Sequence, residues 1–307
     1  MTVAIGVDVG TTAVKALAAA DDGTVVATTR VQARRGPGGE SGLGHDAADV
    51  WCDTVRRAAT EVARSARTQG HDVAVLNVAA MVPAMCPVDS EGVPVGPGLL
   101  YGDERSAGGP RGRTRRRRGE ASRMLAHLAG AHPQAAGYWP PQAVGSAALC
   151  GRGVIDPVIA MTMVPLFDFT GWDESALEAA GARVGQLPDI VPDDQVAGDV
   201  SGGLGPDFDG AVVGPGTIDA FAEQIVAGAD DPGDVLVIIG GTLIVWAVVP
   251  TWIEVPGLWT VPHTAPGMTL VGGPSNAGGI FRTGRQACYG REAPKNPGIP
   301  RVGRQLR

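Results

Sequence analysis

An α/β fold is predicted, and three observations carry it. β-rich stretches at Val3–Val9, Ala13–Ala19 and Val25–Val31 are separated by Gly10-Thr11-Thr12 and by Asp21-Asp22-Gly23, which suits a hairpin followed by a third antiparallel strand. Asp46 to Thr68 then carries Val50, Val55, Ala58, Ala59, Val62 and Ala66 close to helical spacing, with Asp46 or Asp49 placed to cap it. Val73–Ala80 and Met85–Val88 return to strand character. The order strand, strand, strand, crossover helix, strand points to a ribonuclease-H-like α/β domain.

Further along, Asp89-Ser90-Glu91-Gly92 reads as a turn. From Ala107 to Arg118 the pattern collapses into Gly, Pro and Arg, ending in Arg115–Arg118, and a solvated surface loop is expected there. Glu120–Ala131 reads as helix, and Val144–Ile159 suits either helix or strand. Asp173–Gly181 is a short helix before the Pro-rich Leu187–Pro192. Ala211–Gly216 is then a strand and Thr217–Gly228 a helix, with Asp219 in its first turn. Val235–Val249 is strand, turn, strand, broken at Gly240-Gly241 and too short for the roughly 20 residues of a membrane helix. Arg291–Arg307 lacks apolar periodicity and is expected to be poorly ordered.

Composition bounds the function. The chain has 307 residues, 44% apolar and 19% charged, enough to bury a sizeable core and form two domains. A net charge of −7 argues against general nucleic-acid binding, which needs a basic surface, so an anionic ligand would have to find local donors. Lysine occurs only as Lys15 and Lys295. Cys52, Cys86, Cys150 and Cys288 have no C-x-x-C spacing and suit free thiols, and the five histidines form no metal pattern, reading as surface or packing residues. The N-terminus begins a strand at once, with Asp8 where a signal peptide would be apolar, so a cytoplasmic protein is expected.

The most informative segment is Ile5 to Lys15, an apolar strand ending in Asp8 that runs into a glycine and two hydroxyls. Gly10 lets the backbone approach a phosphate without a Cβ, Thr11 and Thr12 supply N–H and O–H donors, and Asp8 can hold Mg²⁺ through water. The pattern suits an ATP site of the actin and sugar-kinase type. It matches neither G-x-x-x-x-G-K-[ST] nor G-x-G-x-x-G. A buried strand with a tight turn would use the same residue types.

With these residues in view, the chain resembles the FGGY family of carbohydrate kinases from Val3 to about Gly279. The resemblance rests on the joint order of Gly6–Lys15, Val88–Pro94, Leu100–Arg105, Gly216–Ala222, Pro232–Thr242 and Gly272–Gly279. It implies a ribonuclease-H-like N-terminal domain of the actin, hexokinase and Hsp70 type over 1–230, the start of a second such domain over 231–288, and a tail over 289–307. It also implies transfer of the ATP γ-phosphoryl group, with Mg²⁺, to a hydroxyl of a sugar, polyol or sugar acid, in a xylulokinase-like or other pentulose-kinase-like reaction. Asp219 would then be the general base. Gly240, Gly241 and Thr242 would form a second phosphate turn, with Gly241 where the family usually carries a hydroxyl. Tyr101, Asp103 and Arg105 would form the acceptor segment. Met81 and Pro83 fall where xylulose-kinase-like members tend to have glutamine and histidine, so Met81 is placed on the acceptor side while xylulose itself is not implied.

Family members run well beyond this chain, so the second domain is expected to be incomplete and the adenosine-holding segment has no counterpart here. Apolar surface left bare by that shortening would favour self-association. Two other functions stay open beside a kinase: a catalytically silent module that retains sugar or nucleotide binding, and an actin-like protein that binds nucleotide without phosphorylating a small molecule. The composition of Arg291–Arg307 would also suit a change of reading frame.

Overall fold

Alternation decides the first strand. Thr2–Val9 (β1) buries Val3, Ile5, Val7 and Val9 on one face and turns Thr2, Ala4 and Gly6 outward. Ala13–Ala20 (β2) and Val25–Gln32 (β3) follow antiparallel, and Asp72–Ala80 (β4) adds to the other side of β1 in parallel. These elements belong to a computed structural model that describes residues 1–34, 44–103, 105, 119–192, 194–201, 203–239, 243–263 and 267–275. Three features read from the sequence lie outside the described residues: the loop to Arg118 (apart from Arg105 before it), the turn Gly240–Thr242, and the tail with Cys288.

The sheet is completed by Gly198–Asp199 (β5), Val212–Val213 (β6) and Thr217–Ile218 (β7). Its order is β5-β6-β4-β1-β2-β3, with β7 also pairing β4 beyond β6. β1, β6 and β7 all run parallel to β4, so a parallel centre carries an antiparallel flank. This is the ribonuclease-H-like arrangement expected from the element order.

Between β3 and β4 the chain crosses over as a helix, wound as a π-helix over Ala48–Asp53 and as an α-helix over Thr54–Thr68 (α1). The Asp46 carboxylate accepts from the Asp49 amide at 3.3 Å, as one of the two expected caps. Val55, Ala58, Ala59, Val62, Ala63 and Ala66 of α1 are buried against β1, β2 and β3. The small alanines let the helix lie close to the sheet. Glu120–Ala131 (α2) is helical as expected, and the ambiguous stretch resolves into helix Pro141–Cys150 (α3) and a two-residue strand Val154–Ile155. α3 packs closely on β4, where a Cβ on Gly145 would stand 3.1 Å from the Val78 side chain and push it back by a few tenths of an ångström.

One boundary differs from expectation. The helix expected from Thr217 starts at Asp219 (Asp219–Ala227, α4), because Thr217 and Ile218 pair with Ala79 and Ala80 as β7. The pull of a neighbouring strand outweighs local helical preference there.

The chain divides into two compact units, Met1–Ala222 and Glu223–Arg307, against a boundary read from the sequence at 230/231. The second holds an antiparallel sheet of Val235–Ile239 (β8), Leu243–Val249 (β9), Trp259–Pro262 (β10) and Thr269–Ser275 (β11), in the order β8-β9-β11-β10. Leu236 and Trp246 are buried on one of its faces, while Val235, Val237, Ile239 and Val245 are exposed on the other. Among the described residues Cys52, Cys86 and Cys150 are free thiols, and no helix is long and apolar enough to cross a membrane.

Candidate active site at the carboxyl ends of the parallel strands

Topology brings together residues from opposite ends of the first unit. Asp8 lies near the end of β1, and in register it stands beside Lys15 of β2 and Ala79 of β4. Thr217 of β7 also pairs Ala79, from the other side of β4. Asp219, two residues on, therefore emerges at the same edge as Asp8. The carboxyl edge of parallel strands is where open α/β sheets hold ligands.

The turn between β1 and β2 is tight. The Gly10 amide donates to the Ala13 carbonyl at 3.1 Å. A Cβ on Gly10 would sit 3.1 Å from that carbonyl and about 4 Å from both Asp8 carboxylate oxygens, so a side chain there would crowd the space above the turn. Lys15 Nζ donates to Asp8 Oδ2 at 2.7 Å, with the lysine side chain 50% and the aspartate side chain 36% exposed. This pair contributes little to stability because water screens it, and both groups remain accessible to a ligand. Thr11 is half-buried and Thr12 exposed.

Asp219 is the first residue of α4 and half-buried. Burial pushes its carboxyl above the ordinary aspartate range. The Ala220 amide, which donates to Oδ1 at 2.8 Å, and the charge of Lys15 oppose that rise, while the nearby Asp8 charge adds to it. The carboxyl of Asp219 thus feels both members of the Asp8–Lys15 pair.

Two buried or half-buried amides hold the chain that leads to Asp219. Asn77 Oδ1, in the middle of β4, accepts from the Gly216 amide at 2.8 Å and from the Val78 amide at 3.1 Å. Gln142 of α3 donates through Nε2 to the carbonyls of Ala80, at 3.0 Å, and Thr217, at 3.2 Å. Neither residue stands out as functional in the sequence, although a lone Asn inside the apolar run Val73–Ala80 is a visible irregularity.

His45 is a second omission. Read from the sequence as surface or packing, it is fully buried and bonded on both ring nitrogens. Trp51 Nε1 donates to Nδ1 at 2.9 Å, and Nε2 lies 3.0 Å from the Thr11 carbonyl. Indole N–H is only a donor, so Nδ1 must be the acceptor and the proton sits on Nε2, which donates to Thr11. Burial lowers the ring's proton affinity and keeps it neutral.

In the segment read from the sequence as acceptor-binding, Asp103 is 2% exposed and grips Arg105. Arg105 donates from Nε at 3.0 and 3.2 Å, from a terminal nitrogen at 2.6 Å, and from its own amide at 2.9 Å. Tyr101 is 40% exposed. The segment follows directly on Gly98–Leu99, which pairs with Gly44–His45, the strand whose His45 bonds the Thr11 carbonyl. Met81, read from the sequence as an acceptor-side residue, is only 3% exposed, and its apolar side chain belongs to the core cluster just past the end of β4. Gly240, Gly241 and Thr242 lie outside the described residues.

No group of three or more His, Cys, Asp or Glu among the described residues is arranged to hold a metal ion alone. The hard carboxylate oxygens of Asp8, with Asp219 near, fit Mg²⁺, which is bound by one or two carboxylates together with phosphate and water.

The fold is the ribonuclease-H-like fold of actin and hexokinase type, and it is shared with solved sugar kinases. Solved structures that it matches include xylulose, gluconate and glycerol kinases. The xylulose kinase of Rhodospirillum rubrum is 22% identical, with a TM-score of 0.75, over 88% of this chain and 60% of that one. A ligand-bound xylulose kinase of Lactobacillus acidophilus is 19% identical, TM-score 0.80, over 96% and 64%. The glycerol kinase of Plasmodium falciparum with ADP is 13% identical, TM-score 0.78, over 96% and 65%. The resemblance to FGGY carbohydrate kinases therefore holds at the level of the fold, and the chain spans 60 to 65% of the length of these three kinases. No family model and no curated protein matches the chain.

Proposed function

We propose that the chain carries the acceptor and phosphate side of an ATP-dependent kinase acting on a hydroxyl of a sugar, polyol or sugar acid, and that it belongs to the FGGY carbohydrate kinases. One observation carries the reading: Asp219, distant in sequence, emerges at the same strand edge as the hairpin pair Asp8 and Lys15 beside the Gly10–Thr12 turn.

In this reading the turn's backbone and hydroxyl donors cradle phosphate oxygens, and Lys15 offsets their charge. Asp8 would hold Mg²⁺ through water; the ion supplies charge neutralisation at the phosphoryl oxygens. Asp219 accepts the proton of the acceptor hydroxyl as that oxygen bonds to the γ-phosphorus and the bond to the β-phosphate oxygen breaks, releasing ADP. A base whose proton affinity is raised by burial is better matched to a hydroxyl proton near neutral pH than an exposed aspartate. Gly240, Gly241 and Thr242 are assigned to a second phosphate turn, and Tyr101, Asp103 and Arg105 to acceptor binding through paired hydrogen bonds.

The test is ADP release with Mg·ATP across a panel of pentuloses, polyols and sugar acids, with Asp219→Ala as control. Acceptor-dependent release lost in the variant supports the kinase. Acceptor binding without release would assign the chain to a binding module, and neither binding nor release would defeat the reading.

A further inference from the structure

The tip of the phosphate turn is held from inside the protein by a residue that does not itself reach the ligand side. Within a trans peptide the carbonyl and the following N–H point in opposite directions. The Thr11 carbonyl and the Thr12 N–H belong to one such peptide. His45 Nε2 draws that carbonyl inward, so the Thr12 N–H points the other way, away from His45, at a residue that is exposed. The next carbonyl, of Thr12, is taken by the Ala33 amide at 3.0 Å. Two successive peptides of the turn are thus fixed by bonds from elsewhere in the fold.

His45 can act this way only as the Nε2-protonated tautomer, and Trp51 enforces it by occupying Nδ1 with a donor. Trp51 is fixed in turn. It is fully buried, meets the imidazole edge-on at a centroid distance of 6.1 Å, and lies against Gly98, where a Cβ would come within 2.6 Å of the indole ring.

We propose that His45, locked by Trp51, is a positioning residue that aims the Thr12 N–H of the turn at a nucleotide phosphate. The inference rests on the kinase reading of the turn. A Gln at position 45 has the same two functions on opposite sides of a planar group, an N–H donor for Thr11 and an oxygen acceptor for Trp51, so it should substitute where an apolar residue cannot.

Calorimetric titration with Mg·ADP tests this on the full chain, alongside melting temperature and Thr12 amide exchange. The wild type should bind, Asp8→Ala should lose binding, and His45→Leu should weaken it roughly tenfold, the size of one neutral hydrogen bond. His45→Gln should restore affinity to within about threefold, with slow Thr12 exchange regained. Trp51→Phe removes only the N–H, and serves where His45→Leu does not fold; it should weaken binding by about threefold or more. Wild-type affinity in His45→Leu or Trp51→Phe, with Asp8→Ala still impaired, overturns this inference and leaves the kinase reading standing. Equal losses in His45→Gln and His45→Leu overturn it too, since they would mark plain packing. A wild type that does not bind millimolar Mg·ADP removes the kinase reading and this inference together.

Discussion

Gly216→Ala probes the approach to Asp219. Gly216 sits at φ 91°, where an L-residue is strained, and its amide is held by Asn77 Oδ1 at 2.8 Å. An alanine Cβ would stand 3.0 Å from Gln142 Cβ and 3.3 Å from the Val78 carbonyl. The backbone conformation alone costs alanine roughly 1–2 kcal/mol. With crowding against a buried Gln142 and a main-chain carbonyl, a total near 2–3 kcal/mol is expected. At roughly 2–4 °C per kcal/mol for a unit of this size, Tm should fall by about 5–10 °C. Relief of the strain would move Gly216 and Thr217, hence Asp219. Because a displacement of about 1 Å at a reacting group can lower the rate a hundredfold, kcat should drop by up to about that factor. Mg·ADP affinity should hold, since the phosphate turn lies on β1 and β2. Thermal unfolding, steady-state kinetics and calorimetry together decide it. An unchanged Tm would refute the strain argument, and a loss of Mg·ADP affinity as large as that in kcat would refute the separation of base and phosphate turn.

Asp219→Asn should raise stability while abolishing transfer. A carboxyl whose native proton affinity is raised destabilises the fold as pH rises through its native pKa, so the variant should match wild type near pH 3.8 and exceed it increasingly toward neutrality, as denaturant titrations at several pH values would show. Lys15→Met should leave Tm within a few degrees, because an exposed pair is worth at most about 1 kcal/mol. It should also shift the acid limb of the kcat/KM profile upward, since Lys15 favours the ionised form of Asp219. His45, held neutral by burial, should cost stability as pH falls below about 6.5 toward its lowered native pKa, and His45→Gln should flatten that acid limb.

The strands and the long crossover helix were legible because their periodicity is strong. β1 alternates from Thr2 to Val9, and α1 repeats its buried positions from Val55 to Ala66. β6 falls inside the strand expected over Ala211–Gly216, but β5 and β7 were not foreseen: a two-residue strand carries no period, and pairing with β4 makes Thr217 and Ile218 extended rather than helical. Asp8, Gly10, Lys15 and Asp219 could be named from local motifs. That they share an edge is a property of sheet order, on which the sequence is silent. His45, Asn77 and Gln142 stayed hidden for a related reason, since each acts on backbone distant in the chain. That Met81 is buried was not legible either, because position in a motif says nothing about which way a side chain turns.

The placement of β7 also bears on biosynthesis. The Gly10–Thr12 turn comes off the ribosome with the first strands, but Asp219 arrives only when Thr217 and Ile218 dock against β4, after nearly the whole first unit has been made. On the proposed kinase reading, a nascent chain stalled before that point would hold the turn without the residue assigned as base, and chain order alone would keep it from transferring phosphate during synthesis.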